Sequence, residues 1–142
     1  MSIVVDASLV VVLTTTDPRV AIVEPWFLHW EATNQDLHAP ALLSYEVESA
    51  LTRLVKGGRL PAHEVGAAWS IVEALPIILH LQRDGPRIVE IALRLHRSSA
   101  YDASYLALAE RLDTDLWTLD GSLVRNAVSL GFRVRLADVP PP

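Results

Sequence analysis

Apolar positions along the chain follow two rhythms, one of strands and one of helices. Ile3-Val4-Val5 is an unbroken β-branched run, which predicts a strand buried on both faces, and it stops on the carboxylate of Asp6. The design recurs late in the chain, where Asp115-Leu116-Trp117-Thr118-Leu119 runs into Asp120. Leu37-His38-Ala39, closed by Pro40, is a short predicted strand. Ile77-Ile78-Leu79-His80-Leu81 reads as a well-buried one, and Phe132 to Leu136 as the last.

Between these runs the period lengthens to that of a helix. Ala7 to Leu13 is the first. A second follows the Asp17-Pro18 pair and carries Val20, Val23, Phe27 and Trp30; Pro25 inside it predicts a kink or two short helices. Ala41 to Lys56 places Leu42, Leu43, Val47, Ala50, Leu51 and Leu54 on one stripe, and Gly57-Gly58 stops it. Further helices start at Pro61 (Val65, Ala68, Trp69, Val72) and at Asp84 (Ile88, Ile91, Ala92, Leu95). Tyr101 to Leu112 is apolar almost all round, and the last helix runs from Gly121-Ser122 to Leu130. Strands alternating with helices predict an α/β fold whose central sheet is mostly parallel, with right-handed crossovers. With 142 residues the chain reads as a single domain over 1–142, its tail at about residues 137–142 loosely ordered.

Four carboxylates stand out against this framework. In open α/β sheets, ligand sites lie beyond the carboxyl ends of the strands, where Asp6 and Asp120 both fall. Glu46 sits on the edge of its helix's apolar stripe, whereas Glu48 faces water; Arg53 lies two turns from Glu46 on the same side. Asp102 occupies the first turn of a helix otherwise fit for the interior. Three of them have a plainer explanation: Asp6 as a helix N-cap, Asp102 as a first-turn acid favoured by the helix dipole, Glu46 as a snorkelling surface residue. If the strands are parallel and adjacent, all four converge at one rim. Clustered carboxylates repel and raise each other's pKa unless a cation sits among them. Hard oxygen donors without Cys or His suit Mg²⁺ or Mn²⁺, and such a site suits metal-assisted phosphodiester hydrolysis.

Composition narrows the classes. The formal charge of −5 argues against coating nucleic acid by bulk charge, but not against a nuclease with an acidic site. There is no cysteine, hence no disulfide, thiolate metal site or thiol nucleophile, which suits a reducing cytoplasm. The five histidines show no metal-binding spacing. No apolar run is long enough to span a bilayer, and the start Met1-Ser2-Ile3 lacks the basic segment of a leader. All basic residues but Lys56 are arginines. A dinucleotide-binding domain would need a Gly-rich turn where Asp6-Ala7-Ser8-Leu9 stands. A phosphoaspartate enzyme would want a lysine near its last strands.

Four motifs in order resemble a known family: Val4-Val5-Asp6-Ala7-Ser8; Tyr45-Glu46-Val47-Glu48-Ser49-Ala50-Leu51; Tyr101-Asp102-Ala103-Ser104-Tyr105-Leu106-Ala107-Leu108-Ala109; and Thr118-Leu119-Asp120-Gly121-Ser122-Leu123. They look like the PIN-domain ribonucleases, most closely the VapC-type toxins of bacterial toxin–antitoxin pairs, over roughly residues 2 to 136. The resemblance implies a three-layer α/β/α sandwich and cleavage of single-stranded sites in RNA such as tRNA or rRNA, dependent on Mg²⁺ or Mn²⁺. It implies an acidic quartet of Asp6, Glu46, Asp102 and Asp120. Asp6 and Asp102 would be the main metal ligands, Asp120 and Glu46 would complete the site or position water, and Ser8 and Thr118 would support it. It further implies a homodimer in the cytoplasm and an antitoxin that wraps the helices near residues 41 to 75, often inserting a basic side chain among the acids. Ser49 departs from the pattern, since many relatives carry Asn there. An RNA-processing nuclease without antitoxin and a non-catalytic partner-binding domain are the alternatives to a toxin.

Overall fold

The first strand decides the architecture, because its residues are sealed on both sides. In a computed structural model, which describes residues 1–142, β1 (Ser2–Val5) has Val4 and Val5 fully buried. Side chains of a strand alternate between faces. Accordingly Val4 joins one apolar cluster, while Ile3 and Val5 join a second on the opposite side. Four more strands complete the sheet: β2 (Asp36–Pro40), β3 (Ile77–His80), β4 (Leu116–Thr118) and β5 (Val134–Leu136). Their order is β3-β2-β1-β4-β5, and every pairing is parallel. The α/β reading therefore holds, with β1 at the centre and β4 directly beside it.

Seven helices cover the sheet: α1 (Ala7–Leu13), α2 (Val20–Ala32), α3 (Leu42–Lys56), α4 (Val65–Ala74), α5 (Gly85–Arg94), α6 (Tyr101–Arg111) and α7 (Gly121–Ser129). A single 3₁₀ turn, Ala62–Glu64, leads into α4. The larger cluster packs Leu43, Val47 and Leu51 of α3, Ile88 and Ile91 of α5, Leu106 and Leu108 of α6 and Leu123 of α7 over one face. Helix α2 covers the other face, and α1 contributes to both clusters. On the α2 side Trp26 and Trp30 pack on Trp117 of β4, with ring centroids 4.4 and 5.5 Å apart. Burying such rings supplies much of this layer's apolar contact.

Three expectations change. Helix α2 runs unbroken through Pro25 rather than splitting there. The carbonyl that loses its usual partner belongs to Ala21, which is exposed, so water can serve it. Strand β3 is at the edge of the sheet rather than buried, with Ile78 and Leu79 49% and 47% exposed. The chain end is held further than expected: Ala137 is fully buried, and Trp26 Nε1 donates to the Val139 carbonyl at 2.7 Å.

Candidate active site

Asp6 leaves β1 at the carboxyl end of the sheet and is the N-cap of α1, accepting from Ser8 N at 3.0 Å. Capping is only part of what holds it. The Ser8 hydroxyl donates to Oδ1, and the hydroxyl of Thr118, at the end of β4, donates to Oδ2. The two hydroxyls are fixed in turn, because Ser8 Oγ accepts from Leu119 N and Thr118 Oγ1 from Asp120 N, both at 3.0 Å. Thr118 itself is fully buried. Parallel pairing of β1 with β4, Val5 opposite Trp117, produces this lattice from residues more than a hundred positions apart.

Burial pushes the Asp6 carboxyl up to about 6, against the lowering effect of the Ser8 and Thr118 hydroxyls and the backbone N–H groups of Leu9 and Ser8. The residue as a whole is half-buried. It is a carboxylate held in one orientation yet reluctant to carry its charge.

The other three acids respond to their surroundings differently. Asp120 caps α7, accepting from Ser122 N, Leu123 N and the Ser122 hydroxyl at 3.0, 3.1 and 2.8 Å. Partial burial opposes its charge, but these donors outweigh burial and lower its pKa. Asp102, in the first turn of α6, is raised by burial and by the charge of Asp120, with Arg97 pulling the other way. Arg97 Nε stands 3.8 Å from Asp102 Oδ2. Glu46 of α3 is raised by burial and by Asp102, while Tyr105 and Arg53 lower it. Glu48 is exposed, as its place on the helix predicts.

Asp102 thus sits in the field of Asp120, Glu46 in that of Asp102, and the Tyr105 hydroxyl in those of Glu46 and Asp6. Glu46, Asp102 and Asp120 are coupled in a chain, and Asp6 joins them only through the Tyr105 hydroxyl it shares with Glu46. Glu46 Oε1 and the Tyr105 hydroxyl are both buried and lie near one another, without closing a hydrogen bond of ordinary geometry. Burial and the neighbouring Glu46 and Asp6 charges keep that phenol protonated.

Whether these residues suit a divalent ion can be tested on the donor set. Its chemistry fits, being all carboxylate, with one buried Glu46 oxygen unclaimed by any donor. The side chains as placed do not gather three ligands at one point. Arg97 beside Asp102 supplies part of the positive charge such a cluster needs. The histidines take no part: His38 Nδ1 and His80 Nε2 pair with one another at 2.8 Å, on β2 and β3.

The site opens onto a cleft of about 650 Å³ between α1 and α3, lined by Ser8, Glu46 and Tyr101 among others. The sequence pattern gives no sign of Arg97; Tyr105 is buried in the core, as an apolar helix predicts, but its hydroxyl reaches Glu46. A hydroxyl inside an otherwise apolar helix needs a partner when buried, and that was the available signal.

Comparison with known proteins bears on the family and the fold. The PIN domain family model matches residues 3–128. Ribonuclease VapC1 of Mycobacterium tuberculosis is 36% identical over 122 residues, covering 84% of this chain and 86% of that protein. Ribonuclease VapC3 of Pyrobaculum aerophilum is 30% identical over 136 residues, covering 92% and 98% respectively. Among solved structures, a protein of Pyrobaculum aerophilum superposes with a TM-score of 0.65 at 24% identity, over 89% of this chain and 87% of its own. VapC20 of Mycobacterium tuberculosis, described as a sarcin-ricin loop cleaving toxin, superposes at 0.62 and 18% identity, over 98% and 99%. At these identities the two structures speak to the fold.

Proposed function

We propose that this chain, which belongs to the PIN domain family, is a Mg²⁺- or Mn²⁺-dependent endoribonuclease and the toxin of a toxin–antitoxin pair. The observation that carries the reading is Asp6, a carboxyl clamped by Ser8 and Thr118 at the sheet's carboxyl rim, with Tyr105 feeling both its charge and that of Glu46, and Glu46, Asp102 and Asp120 coupled in a chain beyond. The ribonuclease names of its relatives support the same chemistry.

In this reading Asp6, Asp102 and Asp120 hold the divalent ion. When bound, the ion supplies charge neutralisation at phosphoryl oxygens and acidifies water beside it. The chain's own contributions follow from its hydrogen bonds. Ser8 and Thr118 fix both oxygens of Asp6, so the carboxyl need not reorganise when substrate arrives. The raised pKa of Glu46 and its unclaimed oxygen suit it to accept a proton from attacking water. The protonated Tyr105 hydroxyl beside it favours the carboxylate form of Glu46 that this role requires. The substrate is single-stranded RNA of the tRNA or rRNA kind, the regulator an antitoxin, the assembly a homodimer and the compartment the cytoplasm. No helix is long and apolar enough to cross a membrane.

Cleavage of total RNA by the purified chain in Mg²⁺ or Mn²⁺ tests the proposal. Asp6→Asn and Asp102→Asn are each expected to lose activity while remaining folded, and EDTA to abolish it. Full activity in either variant or in chelator overturns the assignment. Cleavage without growth arrest on expression would favour an RNA-processing nuclease, and absence of metal binding by calorimetry a partner-binding domain.

A further inference from the structure

The cleft between α1 and α3 is larger than the acids require and differs from them in chemistry. Helix α3 presents Leu42, Tyr45, Glu46, Ser49, Ala50 and Arg53 to it, the i, i+3, i+4, i+7 face of a helix, for about three turns. Of the acidic quartet, only Glu46 lines it. Beyond Glu46 the lining turns basic, with Arg53, Arg59 and Arg19. Arg19 is already engaged, its guanidinium paired with Asp17 at 2.7 Å. Arg53 and Arg59 are exposed, and neither makes a salt bridge or side-chain hydrogen bond. Two free guanidinium groups facing one cleft in a chain of net charge −5 form a local reversal of sign.

Two tyrosines flank the acidic end of the same cleft. Tyr45 precedes Glu46 and is 67% exposed; Tyr101 precedes Asp102 and is 56% exposed. Both are large aromatic faces left in solvent beside a catalytic carboxylate, where the core makes no use of them. Free arginines to pair with phosphates and exposed aromatic faces to stack bases are the two requirements of a groove for single-stranded nucleic acid. An acidic protein segment would use the arginines but would leave the tyrosines without a role.

Resting on the ribonuclease reading, the geometry points to this cleft as the seat of the RNA strand on one side of the scissile bond. Arg53 and Arg59 carry backbone phosphates, and Tyr45 and Tyr101 stack the bases nearest the cut. The acids then act on the phosphate where the basic track ends, and the cleft rather than the acids sets which single-stranded segment is accepted.

The test uses the full chain bearing Asp6→Asn, so that bound RNA is not cut, and a short fluorescent oligouridylate. Fluorescence anisotropy across a salt series reads the affinity. Adding Arg53→Gln and Arg59→Gln is expected to weaken binding on the order of 100-fold. It is also expected to flatten the plot of log affinity against log salt by about 1.4, the effect of two lost phosphate contacts. Tyr45→Ala and Tyr101→Ala are each expected to weaken binding by about 5- to 100-fold with the salt slope kept. Arg53→Lys with Arg59→Lys restores the slope. Arg133→Gln, at the opposite end of the sheet between Asp113 and Asp115, serves as a control for the loss of one positive charge outside the cleft. In otherwise native chain the cleft variants raise KM more than they lower kcat. Unchanged affinity and slope in the double arginine variant overturn the cleft assignment while leaving the ribonuclease reading intact. The same follows if the variants bind RNA normally but lose a co-expressed partner protein. Absence of cleavage by the native chain, with no oligouridylate binding by the Asp6→Asn chain, overturns the ribonuclease reading instead.

Discussion

Replacing Asp6 by asparagine is expected to make the fold less stable in mild acid and more stable at neutral pH. The folded carboxyl titrates near 6 against an ordinary value of 3.8, so the folded chain holds a proton there that the unfolded chain releases. Linkage then requires the native protein to lose stability as pH rises from about 4 through about 6, and to lose no more beyond. At about 1.36 kcal/mol per unit, the displacement amounts to at most about 3 kcal/mol, a ceiling because the residue as a whole is only half-buried. Asparagine removes this penalty at every pH. It also replaces one acceptor oxygen by a donor, so either Ser8 or Thr118 must turn its hydroxyl away, at a cost of about 1 kcal/mol. The difference between variant and parent is therefore about −1 kcal/mol at pH 4 and about +1 to +2 kcal/mol at pH 7.5. Urea unfolding followed by tryptophan fluorescence, in EDTA at both pH values, measures it, since Trp26, Trp30 and Trp117 are stacked in the native state. A difference that stays constant with pH, or that turns against the variant as pH rises, would refute the reasoning that burial strains this charge.

Other outcomes follow from the same lattice. Thr118→Val is expected to destabilise the fold by about 1–3 kcal/mol in denaturant titrations, because it leaves an Asp6 oxygen and the Asp120 N–H without their partner. It is also expected to lower cleavage without abolishing it. Mg²⁺ or Mn²⁺ is expected to raise the thermal midpoint at pH 7.5 in proportion to the logarithm of its concentration, and to have no such effect on Asp6→Asn; equal shifts in both proteins would place the ion elsewhere. Trp26→Ala is expected to cost about 3–5 kcal/mol, the range for a large buried ring, and to release the chain end held by its indole. Proteolysis near Val139 reports that release.

How much of this could be read along the chain differs from residue to residue. β1 was legible because burial on both faces demands an unbroken apolar run, and Glu46 because helical periodicity separates it from Glu48. Asp6 and Asp120 were legible because a carboxylate closing a buried strand is conspicuous. Strand β3 was misread: an apolar run says that a segment avoids water, whereas its place at the sheet's edge depends on the order in which strands pair. The anchored tail was hidden for a similar reason, since the indole that holds it lies 113 positions away. Arg97, Tyr105 and the free arginines of the cleft are defined by neighbours from other helices, and no local pattern announces them.

The bond between Thr118 and Asp6 spans 112 positions, and Asp102 and Asp120 also fall in the last third of the chain. Synthesis therefore delivers the first acid early and its clamp almost last. A growing polypeptide still on the ribosome has neither β4 nor β5 to pair beside β1, so Asp6 remains an ordinary hydrated side chain until translation is nearly over. Fragments ending before residue 118 lack the geometry altogether, so the clamped carboxyl is a property of the finished chain and not of its first half.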